Sequence, residues 1–212
     1  MAVDPDVDRL ALVDGHGTPI GEDYTLALAV RTVLERTVGP VVVNLSTSLV
    51  VDDAAAAFGT MVTRAPVGEA NVARAIQQTA AVIGGEGNGG VMLPALHVGR
   101  DAPLAAALVL DLLARTERSL ADLVNGSPRY TIVKAKAPRG PDLDPVYAAL
   151  GRAFPSADLD RQDGLRLAWP GKWLHVRPSG TEPIVRLIAE APTRAEAESL
   201  VAQATRIFEG AA

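Results

Sequence analysis

Hydrophobic positions change their rhythm along the chain. Leu26, Val30, Val33 and Leu34 recur at three- and four-residue steps after Gly21-Glu22-Asp23, which predicts a helix that Gly39-Pro40 closes. Val41-Val42-Val43-Asn44-Leu45 is an unbroken β-branched run, the pattern of a strand buried on both faces. A helix over about 50–58, a strand at Thr60-Met61-Val62-Thr63, a helix from Glu69 to Thr79 and a strand at Ala81-Val82-Ile83 follow. Upstream, Arg9-Leu10-Ala11-Leu12-Val13 reads as a strand closed by the turn Asp14-Gly15-His16-Gly17. Strands alternating with helices predict a parallel sheet with crossover helices. Asp101-Ala102-Pro103 then caps and opens a long helix.

The rhythm changes after Asn125-Gly126-Ser127-Pro128, where a domain boundary is expected. Tyr130 to Lys136 and Leu165 to Trp169 alternate, and Trp173–Val176 and Ile184–Ala189 read as strands. Arg139-Gly140-Pro141 reads as a loop. A final helix is announced by a capping box at Thr193 and Glu196, with Leu200, Val201, Ala204, Ile207 and Phe208 on one stripe. The fold class is therefore α/β, a parallel-sheet domain followed by a smaller α+β domain.

Composition narrows the functional classes. The 212 residues carry a net charge of −5 and only 4% aromatics, so neither a basic face for nucleic acid nor a stacking platform for bases is expected. No apolar run reaches the roughly 20 residues of a membrane helix, and the acidic N-terminus lacks a signal-peptide pattern. The absence of cysteine excludes thiolate chemistry and fits a cytoplasmic location.

Three loops carry candidate chemistry. Asp4, Asp6 and Asp8 alternate in Asp4-Pro5-Asp6-Val7-Asp8-Arg9. They are either a solvated acidic tail or, if the backbone curls, oxygen ligands for a hard cation such as Mg2+. The calcium-loop pattern fails, because its sixth and twelfth positions fall on Arg9 and Gly15. Gly84-Gly85-Glu86-Gly87-Asn88-Gly89-Gly90 formally contains a dinucleotide fingerprint, but Val91-Met92-Leu93-Pro94 does not open the helix that motif needs. It is either a flexible turn or a sugar-binding loop at the end of a parallel strand, with Glu86 accepting from neighbouring hydroxyls. Arg177-Pro178-Ser179-Gly180-Thr181-Glu182-Pro183, with Arg186 beyond, is either a surface turn or a phosphate site built from guanidinium forks, hydroxyls and backbone N–H groups.

In this order the loops resemble the magnesium, sugar-recognition and phosphate-binding loops of the α-D-phosphohexomutase family. The resemblance implies the last stretch of that family's second domain over residues 1–18, its third domain over 19–127, and its small α+β fourth domain, TATA-binding-like, over 128–212. It implies a phosphoryl shift between the 1- and 6-positions of a hexose phosphate, through a phosphoserine and a bisphosphorylated intermediate. Asp4, Asp6 and Asp8 would then hold Mg2+. Arg9 would serve as the catalytic residue beside the reacting phosphate. Glu86 and Asn88 would bind the sugar, and Arg177, Ser179, Gly180, Thr181 and Arg186 the non-reacting phosphate. Asn88 stands where the common sugar loop has serine, and Glu69, in Pro66-Val67-Gly68-Glu69-Ala70-Asn71, stands where the family often has histidine. Both point to the phosphoglucosamine mutase or phosphomannomutase branch, with glucosamine phosphate favoured. The family's Ser-His-Asn-Pro loop is not in this sequence. The chain alone is therefore expected to be inactive, with an N-terminal half carrying the phosphoserine as its partner. The alternative is a phosphosugar-binding module without turnover.

Overall fold

A computed structural model describes residues 1–140 and 142–211. They form two compact units, Met1–Pro128 and Arg129–Ala212. In the first, β1 (Ala2–Val3) pairs antiparallel with β2 (Leu10–Ala11), and the acidic loop is the connection between them. The predicted strand over 9–13 thus shrinks to two residues.

The main sheet of this unit has the order β4-β3-β5-β6. β3 (Val41–Asn44) pairs in parallel with both β4 (Val62–Ala65) and β5 (Ile83–Glu86), as the alternating pattern requires. β4 starts two residues later than predicted, and Thr60 instead donates its hydroxyl to Gly39 O at 3.0 Å. β6 (Gly90–Met92) adds antiparallel to β5. α1 (Glu22–Leu34) and α3 (Glu69–Thr79) cover opposite faces of β5: a Cβ on Gly84 would come within 2.7 Å of Ile76 in α3, and one on Gly85 within 2.8 Å of Leu26 in α1. The same Cβ on Gly84 would lie 2.5 Å from Val42 O. These glycines build a strand so tightly flanked that no side chain fits, not the loop that their composition predicts.

α2 (Val50–Ala56), α4 (Ala102–Thr116) and α5 (Leu120–Asn125) complete the unit. Asp101 caps α4 as expected, its Oδ1 accepting from Leu104 N at 2.8 Å. An ion network ties α1 to α4: Glu35 accepts from Arg31 (2.9 Å) and Arg115 (2.6 Å), and Asp111 from Arg115 (2.9 Å) and Arg36 (2.7 Å). Burial opposes ionisation of Glu35, yet its bonds to Arg115 and Arg31 hold the carboxyl below its usual range. Glu35→Gln should cost the first unit about 1 kcal/mol in urea unfolding, with the loss shrinking near about 1 M salt.

The second unit is a five-stranded antiparallel sheet, β7-β11-β10-β9-β8. Its strands are β7 (Thr131–Pro138), β8 (Asp158–Asp160), β9 (Leu165–Trp169), β10 (Lys172–Pro178) and β11 (Ile184–Ala191). α6 (Asp144–Ala153) and α7 (Arg194–Ala211) share its core, where Val146, Leu150, Leu174, Leu187, Leu200 and Phe208 meet. The sequence reading did not foresee α6. The stripe on α7 packs as expected, but its capping box is altered: Thr193 Oγ1 accepts from Glu196 N at 3.3 Å and donates to Glu196 Oε2 at 2.9 Å. Of the expected loop at 139–141, Arg139 and Gly140 lie outside helices and strands, and Pro141 lies outside the described residues. Among the described residues no helix is long and apolar enough to cross a membrane.

Candidate functional site

The acidic loop curls. Val7 N donates to Asp4 O at 3.1 Å, and Val7 takes φ 60°, a left-handed conformation that costs a β-branched residue about 1–3 kcal/mol. That curl turns alternate carboxylates towards one another, so that one oxygen from each of Asp4, Asp6 and Asp8 lies within 4.8 Å of the others. Asp4 Oδ1 accepts from the N–H groups of Asp8 and Arg9, both at 3.2 Å, and its Oδ2 from Arg9 Nε. Partial burial opposes ionisation of Asp4, but these bonds to Arg9 hold it below the usual carboxylate range. Asp8 behaves oppositely. Lost hydration pushes its carboxyl up against the pull of Arg100, and the charges of Asp4 and Asp6 add to the rise. Asp8 Oδ1 is buried without a hydrogen bond. Arg9 Nε stands 3.5 Å from that oxygen. Three converging carboxylates, one with its ionisation penalised, fit a divalent cation.

The glycine-rich loop sits at the C-terminal end of β5, where open α/β sheets present ligands. Glu86 is 3% exposed. Its Oε1 accepts from Asn44 Nδ2 (2.8 Å) and Gly68 N (3.0 Å), and its Oε2 from Arg100 Nη1 (2.9 Å). Gly87 N donates to Thr47 Oγ1 at 3.1 Å, so Thr47 supports the loop. Gly89 has φ +86°, and its carbonyl accepts from Leu10 N at 3.1 Å, which joins this loop to the acidic one. Asn88 is half-buried and lines an open cleft of about 270 Å³ together with Asp4, Arg9 and Glu22. The structure thus brings Asp4, Asp6, Asp8, Arg9, Glu86 and Asn88 into one region. Sequence reasoning missed Asn44, Thr47, Gly68 and Arg100. Gly68 stands in the segment Pro66–Asn71 that resembles the family, but its backbone role is not readable there; the other three stand in no such motif, and the partners of all four are remote in sequence.

In the second unit, antiparallel register places Arg177 directly opposite Arg186, and Arg186 directly opposite Lys136. Opposed residues share a face, so three cations form a row across β10, β11 and β7. Like charges so placed repel, and carboxylates relieve them: Asp163 Oδ2 accepts from Arg177 Nε at 2.7 Å, and Glu182 Oε2 from Arg186 Nη2 at 2.9 Å. Ser179, 5% exposed, turns inward, its Oγ accepting from Thr181 N (3.4 Å) and Glu182 N (3.3 Å). Gly180 and Thr181 are exposed at the tip, with open space where a Gly180 side chain would stand. A guanidinium has five donors, so the row keeps capacity for an anion.

Comparison with known proteins follows this division. Residues 21–130 match the family described as phosphoglucomutase/phosphomannomutase, alpha/beta/alpha domain III, and residues 133–207 match its C-terminal domain. The chain belongs to this phosphohexomutase family. It is 37% identical over 206 residues to a probable phosphoglucosamine mutase of Methanopyrus kandleri, covering 94% of the chain and 45% of that protein. It is 33% identical over 214 residues to a phosphoglucomutase/phosphomannomutase of Thermococcus kodakarensis, covering 100% of the chain and 47% of that protein. A Burkholderia thailandensis phosphoglucomutase/phosphomannomutase family structure superposes with a TM-score of 0.83 at 25% identity, over 99% of this chain and 46% of that one. The fold also matches an Aspergillus fumigatus N-acetylphosphoglucosamine mutase solved with GlcNAc-6P and magnesium (TM-score 0.71, 15% identity, 99% of this chain and 48% of that one). The chain spans about half the length of the curated relatives it matches.

Proposed function

We propose that these residues supply the metal, sugar and phosphate loops of a phosphohexomutase that interconverts hexose 6-phosphate and hexose 1-phosphate, with glucosamine phosphate as the favoured substrate. In this reading a phosphoserine outside these 212 residues gives its phosphoryl group to the sugar hydroxyl. The bisphosphorylated sugar then returns its other phosphoryl group to the serine. The observation that carries the reading is the junction of the acidic and glycine-rich loops, Leu10 N to Gly89 O, beside a cleft lined by Asp4, Arg9 and Asn88.

Asp4, Asp6 and Asp8 would hold Mg2+, which when bound neutralises charge on the transferring phosphoryl group. Arg9, 45% exposed at its side chain and paired with Asp4, faces the reacting phosphate. Asn88 meets a sugar hydroxyl from the cleft wall. Glu86 shapes the loop from within and offers its remaining lone pairs to a neighbouring hydroxyl. Arg177, Arg186, Gly180 and Thr181 grip the non-reacting phosphate, in a turn that Ser179 holds in shape. Such transfers depend mainly on positioning and on charge stabilisation, which these groups provide.

Calorimetry with glucosamine 6-phosphate, glucose 6-phosphate and mannose 6-phosphate tests the binding. Arg186→Gln should weaken it about tenfold, the worth of one charge-assisted bond. Turnover is tested by adding a separately produced family segment that bears the phosphoserine. Restored interconversion supports the mutase reading. Binding without turnover leaves a phosphosugar-binding module.

A further inference from the structure

Arg100 belongs to none of the three loops, yet it touches two of them. Its Nη2 lies 2.5 Å from Asp8 Oδ2 and 3.3 Å from Glu69 Oε2, and its Nη1 lies 2.9 Å from Glu86 Oε2. Its backbone N–H donates to Glu69 Oε1 at 3.0 Å. The stem runs over Gly90, where a Cβ would come within 2.8 Å of Arg100 Cγ, and the side chain is only 19% exposed. One guanidinium therefore holds a carboxylate of the acidic loop, a carboxylate of the glycine-rich loop and the first residue of α3.

We propose that Arg100 is a positioning residue that fixes Asp8 for the cation and Glu86 for the sugar loop with a single planar fork. This rests on the reading that Asp4, Asp6 and Asp8 take Mg2+. By engaging Asp8 Oδ2, Arg100 fixes the orientation of the carboxylate, whose Oδ1 is buried without a hydrogen bond and has Arg9 Nε 3.5 Å away. Carboxylates that ligate metals are commonly oriented by such outer hydrogen bonds, whose loss weakens metal affinity by about 10–100-fold. A lysine would keep the charge but not the fork, whose rigid geometry meets carboxylates from two directions.

Charge and positioning predict opposite signs. Removing a cation beside three aspartates should, by Coulomb attraction alone, tighten Mg2+ binding. Loss of positioning should weaken it. Mg2+ titration calorimetry on the 212-residue chain compares wild type, R100Q and R100K, with circular dichroism confirming the fold. Mn2+ serves as a paramagnetic probe of ligand geometry. Expected are about tenfold weaker Mg2+ binding in both variants, a broadened spectrum of bound Mn2+, and faster amide exchange at both Gly68 and Leu10. If R100Q does not fold, R100K carries the test. Binding as tight as or tighter than wild type overturns the proposal, as does exchange that changes at only one of the two amides. A wild-type chain that takes up no Mg2+ removes the metal reading and this inference with it. A wild type that binds, with variants that bind equally, removes the inference alone.

Discussion

Glu86→Ala should lower the unfolding free energy of the first unit by about 4 kcal/mol, in the range for breaking a buried, hydrogen-bonded ion pair. The carboxylate accepts from Asn44 Nδ2, Gly68 N and Arg100 Nη1, and it is almost fully buried. Truncation strands all three donors, each costing about 1–3 kcal/mol if water does not reach it. Glu86→Gln helps little, because an amide directs a donor at either Arg100 or the Asn44–Gly68 pair. Trp169 and Trp173, the only tryptophans, both lie in the second unit. Fluorescence therefore does not follow this loss. Native-state hydrogen exchange of Val42 and Val43 in β3 does. A fall below about 1 kcal/mol would mean that water replaces the carboxylate, and Glu86 would then lose its role as the keystone of the loop.

The second large effect is a pH dependence in the other unit. His175 on β10 is fully buried, and its Nε2 lies 2.7 Å from Asp163 O. Burial pushes its pKa down to about 4. The Asp163 carbonyl and carboxylate oppose that shift, and Arg177 and Arg166 reinforce it. The folded protein therefore keeps the ring neutral over a range in which an unfolded histidine, with a pKa near about 6.5, takes up a proton. Above that value His175 contributes no pH dependence. Between about pH 6.5 and about pH 4 the unfolded state binds the extra proton, and stability falls with pH by about 3 kcal/mol in total. Urea unfolding followed by tryptophan fluorescence reads it directly, since Trp173 is two residues away. His175→Gln can still donate to the Asp163 carbonyl and should flatten the curve between pH 6.5 and about pH 5, above the range where carboxylates titrate. An equally steep curve in that variant would assign the loss to other groups.

Much of the fold is legible in the chain because burial and period agree there. Val41, Val42 and Val43 are continuous and fully buried, and Leu26, Val30 and Leu34 are buried as their spacing predicts, although α1 also buries Thr25, Leu28 and Thr32 outside that stripe. The glycines of β5 mislead because glycine reports the absence of a side chain without reporting why. At Gly84 the reason is Val42 O and Ile76, not a turn. α6 carries only one short apolar group, Val146, Tyr147 and Leu150, and follows closely on the Pro- and Gly-containing stretch 138–141, whose loop signal masks its start. The acidic triplet was readable, but its convergence depended on the unfavourable backbone of Val7, which no spacing announces. Arg100 was not readable at all. Its partners stand 14 and 31 residues upstream, at Glu86 and Glu69, and in the first turn of the chain at Asp8.

The bond from Leu10 N to Gly89 O, reinforced by the Arg100 fork, has a consequence for anyone redesigning sugar preference. Gly89 leaves no room for a Cβ against Leu10. A transplanted recognition segment must reproduce that docking point or disturb the aspartates on the far side of it. The smallest exchangeable cassette is therefore the two loops together with their shared arginine, and swapping either loop alone would retune both.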